Sequence, residues 1–275
     1  MQRNRERRSR QVQITQRQTG RNLQVKEGRS STIQVLCLFT QNSLSLSIHH
    51  DISLNMDTVT IAPNKVAKNL GVVIDDRLSF SDHIASVARS CRYALYNIRK
   101  LRPYLTQYAT QLLVQAMVIS CLDYCNALLV GLPACAIKPL QMVQNAAARL
   151  VFNQPKRSHV TPLFINMHWL PVAARIQHKA LTLAYKVTSG YLNVILNAYI
   201  PSRMLRSSNA NRLAVPSPKT KRGHSKLFSV VVPQLWNNLP VPTRATSLST
   251  FKKLVKTLLF RDCLTKPNST NHLLT

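Results

Sequence analysis

No aspartate or glutamate occurs between Asp123 and Asp262, although 19 lysines and arginines fall in that interval. These cations have no carboxylate partner in their own half of the chain. A fold must therefore leave them solvated, set them at helix C-termini or hold them against an external anion. The interval also lacks a carboxylate for general-base, metal-ligand or catalytic-triad chemistry, which excludes most hydrolytic mechanisms from this half of the protein.

The whole chain shows the same imbalance, with 37 lysines and arginines against 9 acidic residues and a net charge of +28. Such a chain binds polyanions readily, and nucleic acid is the first partner to expect because phosphate neutralisation drives much of that binding. A ribosomal or viral-coat role fits the charge equally well. The hydrophobic content of 45% and the length of 275 residues suffice for a packed core in one large domain or two smaller ones.

Neither the cysteines nor the apolar segments indicate secretion or a membrane. Six cysteines are scattered without a framework spacing and no N-terminal apolar segment precedes them, so we expect reduced thiols that are mostly buried. The longest apolar stretch, "LLVQAMVISCLDYCNALLVGLPACAI", contains Asp123 and Pro133, which argue against a membrane span. We expect a nuclear or cytoplasmic protein that uses no cofactor and no small-molecule substrate.

The N-terminal part of the chain divides into a tail and a β element. Residues 1–31 contain nine lysines and arginines and almost no large apolar residues, which predicts a disordered basic tail. This tail could serve as a nuclear address, as a nucleic-acid arm or only as a solvated segment, and Glu6 and Glu27 count against a mitochondrial presequence. Residues 32–80 alternate with a period near two in "TIQVLCLF", "SLSLSIHH", "DTVTIA" and "NLGVVID", which predicts a small antiparallel sheet.

The period changes to that of a helix at Ser81. Residues 81–153 are predicted to form a helical bundle. Its first helix starts near Ser81 and stops before Pro103, its second covers about 105–130, and its third covers about 137–153. The second is apolar all round, which favours a central position in the bundle.

The C-terminal part combines helices with a basic loop. Residues 154–262 are predicted to contain a helix between Pro171 and Gly190, a loop-rich basic segment at 201–226 with a short strand at "RLAV", and a last amphipathic helix at "SLSTFKKLVKTLLF". Residues 263–275 are predicted to be a flexible tail. The fold class is therefore mainly α with a small N-terminal antiparallel β element, an α+β arrangement.

Two groups of cations are the best candidates for phosphate contact, one on the first predicted helix and one in the basic loop. No acidic residue lies near them in sequence, although a solvated cationic surface is the simpler interpretation. No base-reading code is visible, so binding is expected to follow shape and charge. The candidate nucleic-acid-binding residues are Arg89, Arg92, Arg99, Lys100, Arg203, Arg206, Arg212, Lys219, Lys221, Arg222 and Lys226.

Asp75 and Asp76 stand side by side after the β-branched run "GVVI". Neighbouring carboxylates at a strand end are found in two-metal phosphoryl-transfer sites. Successive residues of a strand point to opposite faces, however, so a strand-end or helix-capping role is favoured. We predict no metal at this pair.

Other candidate metal ligands lack a complete set. Cys121 and Cys125 are four residues apart and could be joined by Cys135 or His159, but structural zinc sites need a matching second pair of ligands. The run His49, His50 and Asp51 lacks a distant third ligand and is read as a strand end and turn. No metal site is predicted in the chain.

Three further residues have a structural and a functional interpretation. Asp123, the single acid inside the second predicted helix, is expected to pair with an arginine such as Arg149 because a buried charge needs a partner. Trp169 and Trp236 could stack on bases, but core anchors at helix entries are favoured.

Six motifs follow one another in an order that resembles a known family: "NLGVVIDDRLSFSDHI", "LDYCNALLVGLP", "LQMVQNAAARLV", "HWLPVAARIQHK", "PSRMLRSS" and "FSVVVPQLWNNLP". Residues 44–261 resemble the distal part of LINE-type (non-LTR) retrotransposon reverse transcriptases. The resemblance implies a primer-grip strand at "NLGVVIDDRLSF", with Leu70 and Gly71 as primer-grip-like residues. The helices that follow resemble the thumb, and the later part resembles the C-terminal region that helps to hold template RNA.

The same resemblance implies that the chain lacks a polymerase active site. The family's catalytic aspartates lie in an upstream palm hairpin of the F/Y-x-D-D type, which has no counterpart in this sequence. The expected role is a non-catalytic nucleic-acid-binding fragment that contacts RNA or DNA through phosphates. Two alternatives remain open: a relic of a truncated retrotransposon reading frame, or a reverse transcriptase portion that is active only with a palm from another chain. The apolar thumb surface that a palm would cover predicts possible self-association.

Overall fold

The computed structural model describes residues 23–27, 33–37, 54–56, 59–61, 65–191, 196–199, 211–216, 228–244 and 247–265. The chain divides into two compact units, residues 1–83 and residues 84–275. The described residues are mainly helical, with small antiparallel strand pairs near the N-terminus, which confirms the predicted fold class. The finer division predicted within the second unit stays a prediction.

In the part of the first unit that the structure describes, the strands form three antiparallel pairs. They are β1 (Leu23–Glu27) with β2 (Ile33–Cys37), β3 (Leu54–Met56) with β4 (Val59–Ile61), and β5 (Val66–Asn69) with β6 (Val72–Asp75). Strand β1 lies inside the segment 1–31 that the sequence predicted as a disordered basic tail, and the rest of that segment lies outside the described residues, so the predicted boundary of the tail stays a prediction. Its alternating Leu-Gln-Val-Lys-Glu pattern pairs with β2 despite the surrounding positive charge. The predicted strand at "SLSLSIHH" lies outside the described residues.

The β5–β6 hairpin turns at Leu70 and Gly71, the two primer-grip-like residues. Both have positive φ, 47° and 82°, as a two-residue turn between right-twisted strands requires. Glycine adopts this conformation without steric cost, whereas leucine adopts it with strain. The side chain of Leu70 is exposed at the tip.

The second unit begins within α1 (Ser81–Leu101), whose first residue is the predicted start of the helix. The predicted helix at 105–130 is shorter and irregular. It comprises α2 (Gln107–Val114), a π-helical segment (Gln115–Ile119) and α3 (Ser120–Asp123). The helix ends where Cys125 takes a left-handed conformation with φ of 51°, and a short 3₁₀ turn (Asn126–Leu129) follows.

Among the described residues, the second unit also contains four longer helices and two short ones. They are α4 (Ala134–Val151), α5 (Thr161–Met167), α6 (Val172–Thr188), α7 (Phe228–Asn237), α8 (Val241–Arg244) and α9 (Leu248–Phe260). The sequence did not predict α5 and α7. Pro171 is the N-cap of α6 rather than its first helical residue, and Gly190 follows the helix with φ of +76°. The predicted strand at "RLAV" is reduced to a single bridge between Leu213 and Ala198.

A buried amide cluster ties α4 to the start of α6. The Nε2 of Gln144 donates to the carbonyl of Leu170 at 2.8 Å, and the N–H of Val172 donates to Oε1 of Gln141 at 2.9 Å. The first N–H groups of a helix have no partner within it, so the second bond serves as a cap from another helix. Gln144 is fully buried, and its bond satisfies a polar group that would otherwise be costly to bury.

The two tryptophans belong to the core, as the favoured interpretation predicted. Trp169 is 4% exposed and Trp236 is 1% exposed, so neither offers a ring face to a base. The indole N–H of Trp236 donates to the carbonyl of Asn211 at 2.7 Å, which gives this buried polar group its partner. In the ranges that the structure describes, none of the helices combines the length and the hydropathy that crossing a bilayer requires.

Candidate nucleic-acid interface

Helix α1 separates its apolar residues from its cations. Ile84, Ala88, Cys91, Leu95 and Ile98 are buried at spacings of three and four, which is the period of one helix face. The opposite side carries four of the predicted phosphate-binding residues, and all four are exposed. These are Arg89, Arg92, Arg99 and Lys100.

Two tyrosines that the sequence did not single out lie among these cations. Tyr93 is 69% exposed and Tyr96 is 56% exposed, and the Nζ of Lys100 lies 4.5 Å from the ring centroid of Tyr96. Residues three and four apart neighbour one another on a helix surface. The six side chains therefore form one surface, the basic-aromatic face: Arg89, Arg92, Tyr93, Tyr96, Arg99 and Lys100.

The basic-aromatic face has one acid in its own helix, Asp82, which lies seven residues before Arg89. Asp82, in the first turn of α1, is followed by no other acidic residue until Asp123. The four cations of the face therefore outnumber the single acid of their helix, and the face is positively charged. Exposed aromatic rings beside cations form a surface on which bases can stack while phosphates meet the cations.

Most of the predicted basic loop lies outside the described residues, so its position relative to this face is not described. Six of its predicted residues lie outside the described residues: Arg203, Arg206, Lys219, Lys221, Arg222 and Lys226. Arg212 is described and exposed. Its carbonyl accepts a hydrogen bond from the N–H of Tyr199 at 2.9 Å, so its backbone stabilises the bridge region.

Asp75 has a structural role at the end of β6. Its two carboxylate oxygens accept hydrogen bonds from the N–H groups of Ser79 and Phe80 at 3.0 and 2.8 Å. Burial by itself raises the pKa of Asp75, but the bonds from Ser79 and Phe80 outweigh burial and hold the pKa below its ordinary value. The carboxylate orders the loop that leads into α1. The backbone N–H of Asp76 continues the hairpin by donating to the carbonyl of Lys65.

The cysteines are less buried than predicted. Cys91 is buried, its thiol donates to the carbonyl of Val118 at 3.8 Å, and burial raises its pKa to about 12. Cys121 and Cys135 are exposed and Cys125 is half-buried, because α3 turns one side to solvent and Cys135 lies in the first turn of α4. Among the described residues no cluster of histidines, cysteines and acids could hold a metal ion; His49, His50 and Asp51 fall outside them.

The partner of Asp123 is Arg175 of α6, not the predicted Arg149. The Nε of Arg175 donates to Oδ1 of Asp123 at 2.8 Å, and a terminal nitrogen of the same guanidinium contacts Oδ2. Arg149 instead donates from Nε to the carbonyl of Ser158 at 2.9 Å. The prediction failed because the helix stops at Asp123, where α6 and not α4 supplies the facing cation.

This ion pair lies in the wall of a cavity of about 480 Å³. Six cationic or titratable side chains from two helices line the cavity, and we call this site the cationic cleft. Its residues are Arg175, His178, Lys179 and Lys186 from α6 and Lys252 and Lys256 from α9. Asp123 is the one acid among the described residues that line it.

The sequence did not single out the cationic cleft, although a signal was present. Arg175, Lys179 and Lys186 are separated by four and seven residues, which sets them on one side of a helix. Lys252 and Lys256 are four apart in the last predicted helix. The packing of α6 against α9 could not be predicted from the sequence, because the contact joins parts of the chain about 75 residues apart.

The pKa of His178 is affected by the positive charges of the cleft. Its Nε2–H donates to the carbonyl of Lys252 at 3.1 Å. Burial lowers the pKa of His178, and the charges of Lys256, Arg175 and Lys252 lower it further against the opposing effect of that hydrogen bond. The imidazole is therefore neutral at neutral pH and is held as the Nε2–H tautomer.

Stability is expected to fall as the pH drops below the ordinary histidine pKa of 6.5. Burial lowers the pKa of both His83 and His178 in the fold, so the unfolded chain binds protons more readily than the folded chain. The full stability is present above pH 6.5 and is lost as the pH falls through the folded pKa values. The thermal midpoint, measured between about pH 7.5 and about pH 5.5, should decrease, and His178→Gln should make the decrease smaller. An unchanged profile in the variant would contradict the assignment to His178.

Comparisons of the chain with protein-family models, with curated proteins and with solved structures found no match.

Proposed function

We propose that this chain is a non-catalytic nucleic-acid-binding protein that contacts RNA or DNA through the basic-aromatic face of α1. The observation that carries the proposal is the interleaving of four exposed cations with two exposed tyrosines on one helix. Cations attract the phosphate backbone without regard to sequence, and exposed rings offer stacking to unpaired bases. The net charge of +28 supports the same class of partner.

The resemblance of residues 44–261 to the distal part of non-LTR reverse transcriptases supports the proposal independently. In that reading, α1 and the helices after it correspond to a thumb, whose role is to hold nucleic acid rather than to perform chemistry. A polymerase needs carboxylates that bind two metal ions, and Asp75 commits its oxygens to backbone N–H groups. The proposed role therefore involves binding alone, in the nucleus or the cytoplasm, where RNA and DNA are found.

Replacing Tyr93 and Tyr96 by leucine is expected to weaken binding to single-stranded RNA about tenfold, because stacking contributes about 1–3 kcal/mol per base. Binding to duplex RNA should change little, since paired bases offer no free face to the rings. Fluorescence anisotropy of labelled single-stranded and duplex RNA, titrated with the full chain, measures both effects.

The matched control replaces two exposed tyrosines outside α1, Tyr191 and Tyr199, by leucine. This control should bind both RNAs like the parent chain. Equal losses in the two double variants, or a loss confined to the duplex, would refute the proposed stacking surface.

A further inference from the structure

The cationic cleft has the size of a ligand site. Its volume of about 480 Å³ lies within the range of roughly 300–1,000 Å³ that is common for small-molecule pockets. The residues Arg175 and Lys186 are eleven apart on α6, which corresponds to about 16 Å of helix. The cations thus extend over more than the width of a single phosphate group.

The charge of the cleft is largely uncompensated. Asp123 already accepts two contacts from Arg175, and no other acid occurs in the sequence before Asp262. Lys179, Lys186, Lys252 and Lys256 line the cavity, and Asp123 is the one acid among the described residues that line it with them. Gathering four ammonium groups around a concave surface is unfavourable unless an anion is held there.

The remaining polar lining favours a ligand that also carries hydrogen-bond donors. Asn126 is 3% exposed and lines the cavity beside Asp123. Its Nδ2 donates to Asp123 at 3.3 Å, while its Oδ1 has no hydrogen-bond partner. Carboxylate and amide oxygens repel an anion but accept from hydroxyl or amino groups, so the two parts of the cavity suit the two parts of a nucleotide.

We infer that the cationic cleft binds a phosphate-bearing ligand of nucleotide size, with Lys252 and Lys256 of α9 and Lys179 and Lys186 of α6 as phosphate contacts. The phosphates meet the lysines, and the sugar hydroxyls lie toward Asp123 and Asn126. This inference does not depend on the function proposed for α1, because the residues involved are different. The ligand is either a free nucleotide or the phosphorylated terminal nucleotide of a polynucleotide.

The electrostatic environment of His178 supports a phosphate site in the cleft. Burial comes first among the causes that lower its pKa, and the charges of Lys256, Arg175 and Lys252 act in the same direction. Cations that disfavour a proton on the imidazole would attract a phosphate placed among them. Thr182, which also lines the cavity, uses its hydroxyl hydrogen to bond the carbonyl of His178 at 2.7 Å.

Isothermal titration calorimetry of the full chain with ADP, pyrophosphate and adenosine tests the inference. ADP and pyrophosphate are expected to bind with a stoichiometry of one, and adenosine is expected to bind at least about tenfold more weakly than ADP, since it lacks the charge-assisted bonds. Equal affinity for adenosine and ADP would overturn the inference.

Two variants of α9 separate the cleft from general charge effects. Lys256→Glu should weaken ADP binding at least about tenfold, because it replaces one phosphate contact by a repulsive charge. Lys253→Glu makes the same change on an exposed lysine of the same helix that does not line the cavity, and it should alter the affinity less than about twofold. Equal losses in the two variants would overturn the site.

A third variant is expected to change the affinity in the opposite direction. Asp123→Asn removes the single acid of the lining and should tighten pyrophosphate binding about threefold to tenfold. Circular dichroism and the thermal midpoint of each variant show whether the fold is kept. Weaker pyrophosphate binding by a folded Asp123→Asn chain would count against the proposed electrostatics.

Competition identifies the source of the phosphate. Displacement of ADP by an oligoribonucleotide with a 5′-phosphate, but not by the same sequence with a 5′-hydroxyl, supports a site for polynucleotide ends. Failure of both to displace ADP supports a site for free nucleotides. If Lys256→Glu loses ADP but keeps the binding of long single-stranded RNA that depends on α1, then the two sites are independent, and either proposal can fail without the other.

Discussion

Alanine at Arg92, Arg99 and Lys100 together is expected to weaken binding to single-stranded RNA about a hundredfold at physiological salt. Each cation that contacts a phosphate contributes about 1 kcal/mol or more through a charge-assisted bond, and three such losses correspond to about two powers of ten. The three side chains are exposed and belong to one helix, so the fold should be unaffected. Anisotropy titrations of labelled RNA measure the loss.

The salt dependence of the same titrations provides a second measure. The slope of log affinity against log salt should decrease in magnitude by about one for each phosphate contact removed. A variant that loses affinity without a change in slope would have lost something other than phosphate contacts. In that case the basic-aromatic face would not be the electrostatic contact surface.

The matched control removes three other exposed cations, Lys138, Lys156 and Arg157, which lie in α4 and the loop after it. This triple variant carries the same net charge as the α1 variant. It should retain most of the affinity, because diffuse charge at a distance is screened within about 8–10 Å at physiological salt. Equal losses would mean that any cation serves, and the specific surface on α1 would be refuted.

The sequence predicted α1 well because its evidence was local. The buried positions Ile84, Cys91 and Ile98 repeat at the helical period, and the predicted start at Ser81 is the first residue of the helix. The same helical period predicts that the cations lie on the opposite, exposed side of the helix. Tyr93 and Tyr96 were overlooked because aromatic residues at helical spacing usually belong to a core.

The cationic cleft and the partner of Asp123 could not be predicted in this way. Both depend on which helices become neighbours, and the period of a helix does not contain that information. The second predicted helix ended seven residues early at Asp123, so its facing residue became Arg175 instead of Arg149. The helix ends because Tyr124 is extended and Cys125 is left-handed, and nothing in either residue type distinguishes it from a helical residue.

Replacing Phe251 by alanine is expected to cost about 3–5 kcal/mol of unfolding free energy, the usual range for a fully buried phenylalanine. Phe251 of α9 is 0% exposed. Its ring centroid lies 4.6 Å from that of Tyr185 on α6 and 5.6 Å from that of Trp236 on α7. The single side chain thus joins three helices, and its removal leaves a cavity at their junction.

Urea unfolding monitored by tryptophan fluorescence measures this cost, because buried Trp236 contacts the altered site. Leu254→Ala on the same helix is the control. Leu254 is 39% exposed, so its loss should cost about 1 kcal/mol or less. If Phe251→Ala does not fold, Phe251→Leu retains much of the volume and should show a smaller loss in the same direction.

The result for Phe251 also bears on the cationic cleft, because α9 carries Phe251 toward the core and Lys252 and Lys256 toward the cavity. Holding α9 against α6 brings like charges together, and the burial of Phe251 and Val255 offsets that repulsion. Pyrophosphate should raise the stability of Phe251→Leu by about as much as that of the parent chain, because stabilisation by a ligand that binds the folded state depends only on ligand concentration and affinity. A loss below about 1 kcal/mol for Phe251→Ala would mean that α9 is not packed on α6 in solution, and the cleft would then lose one of its walls.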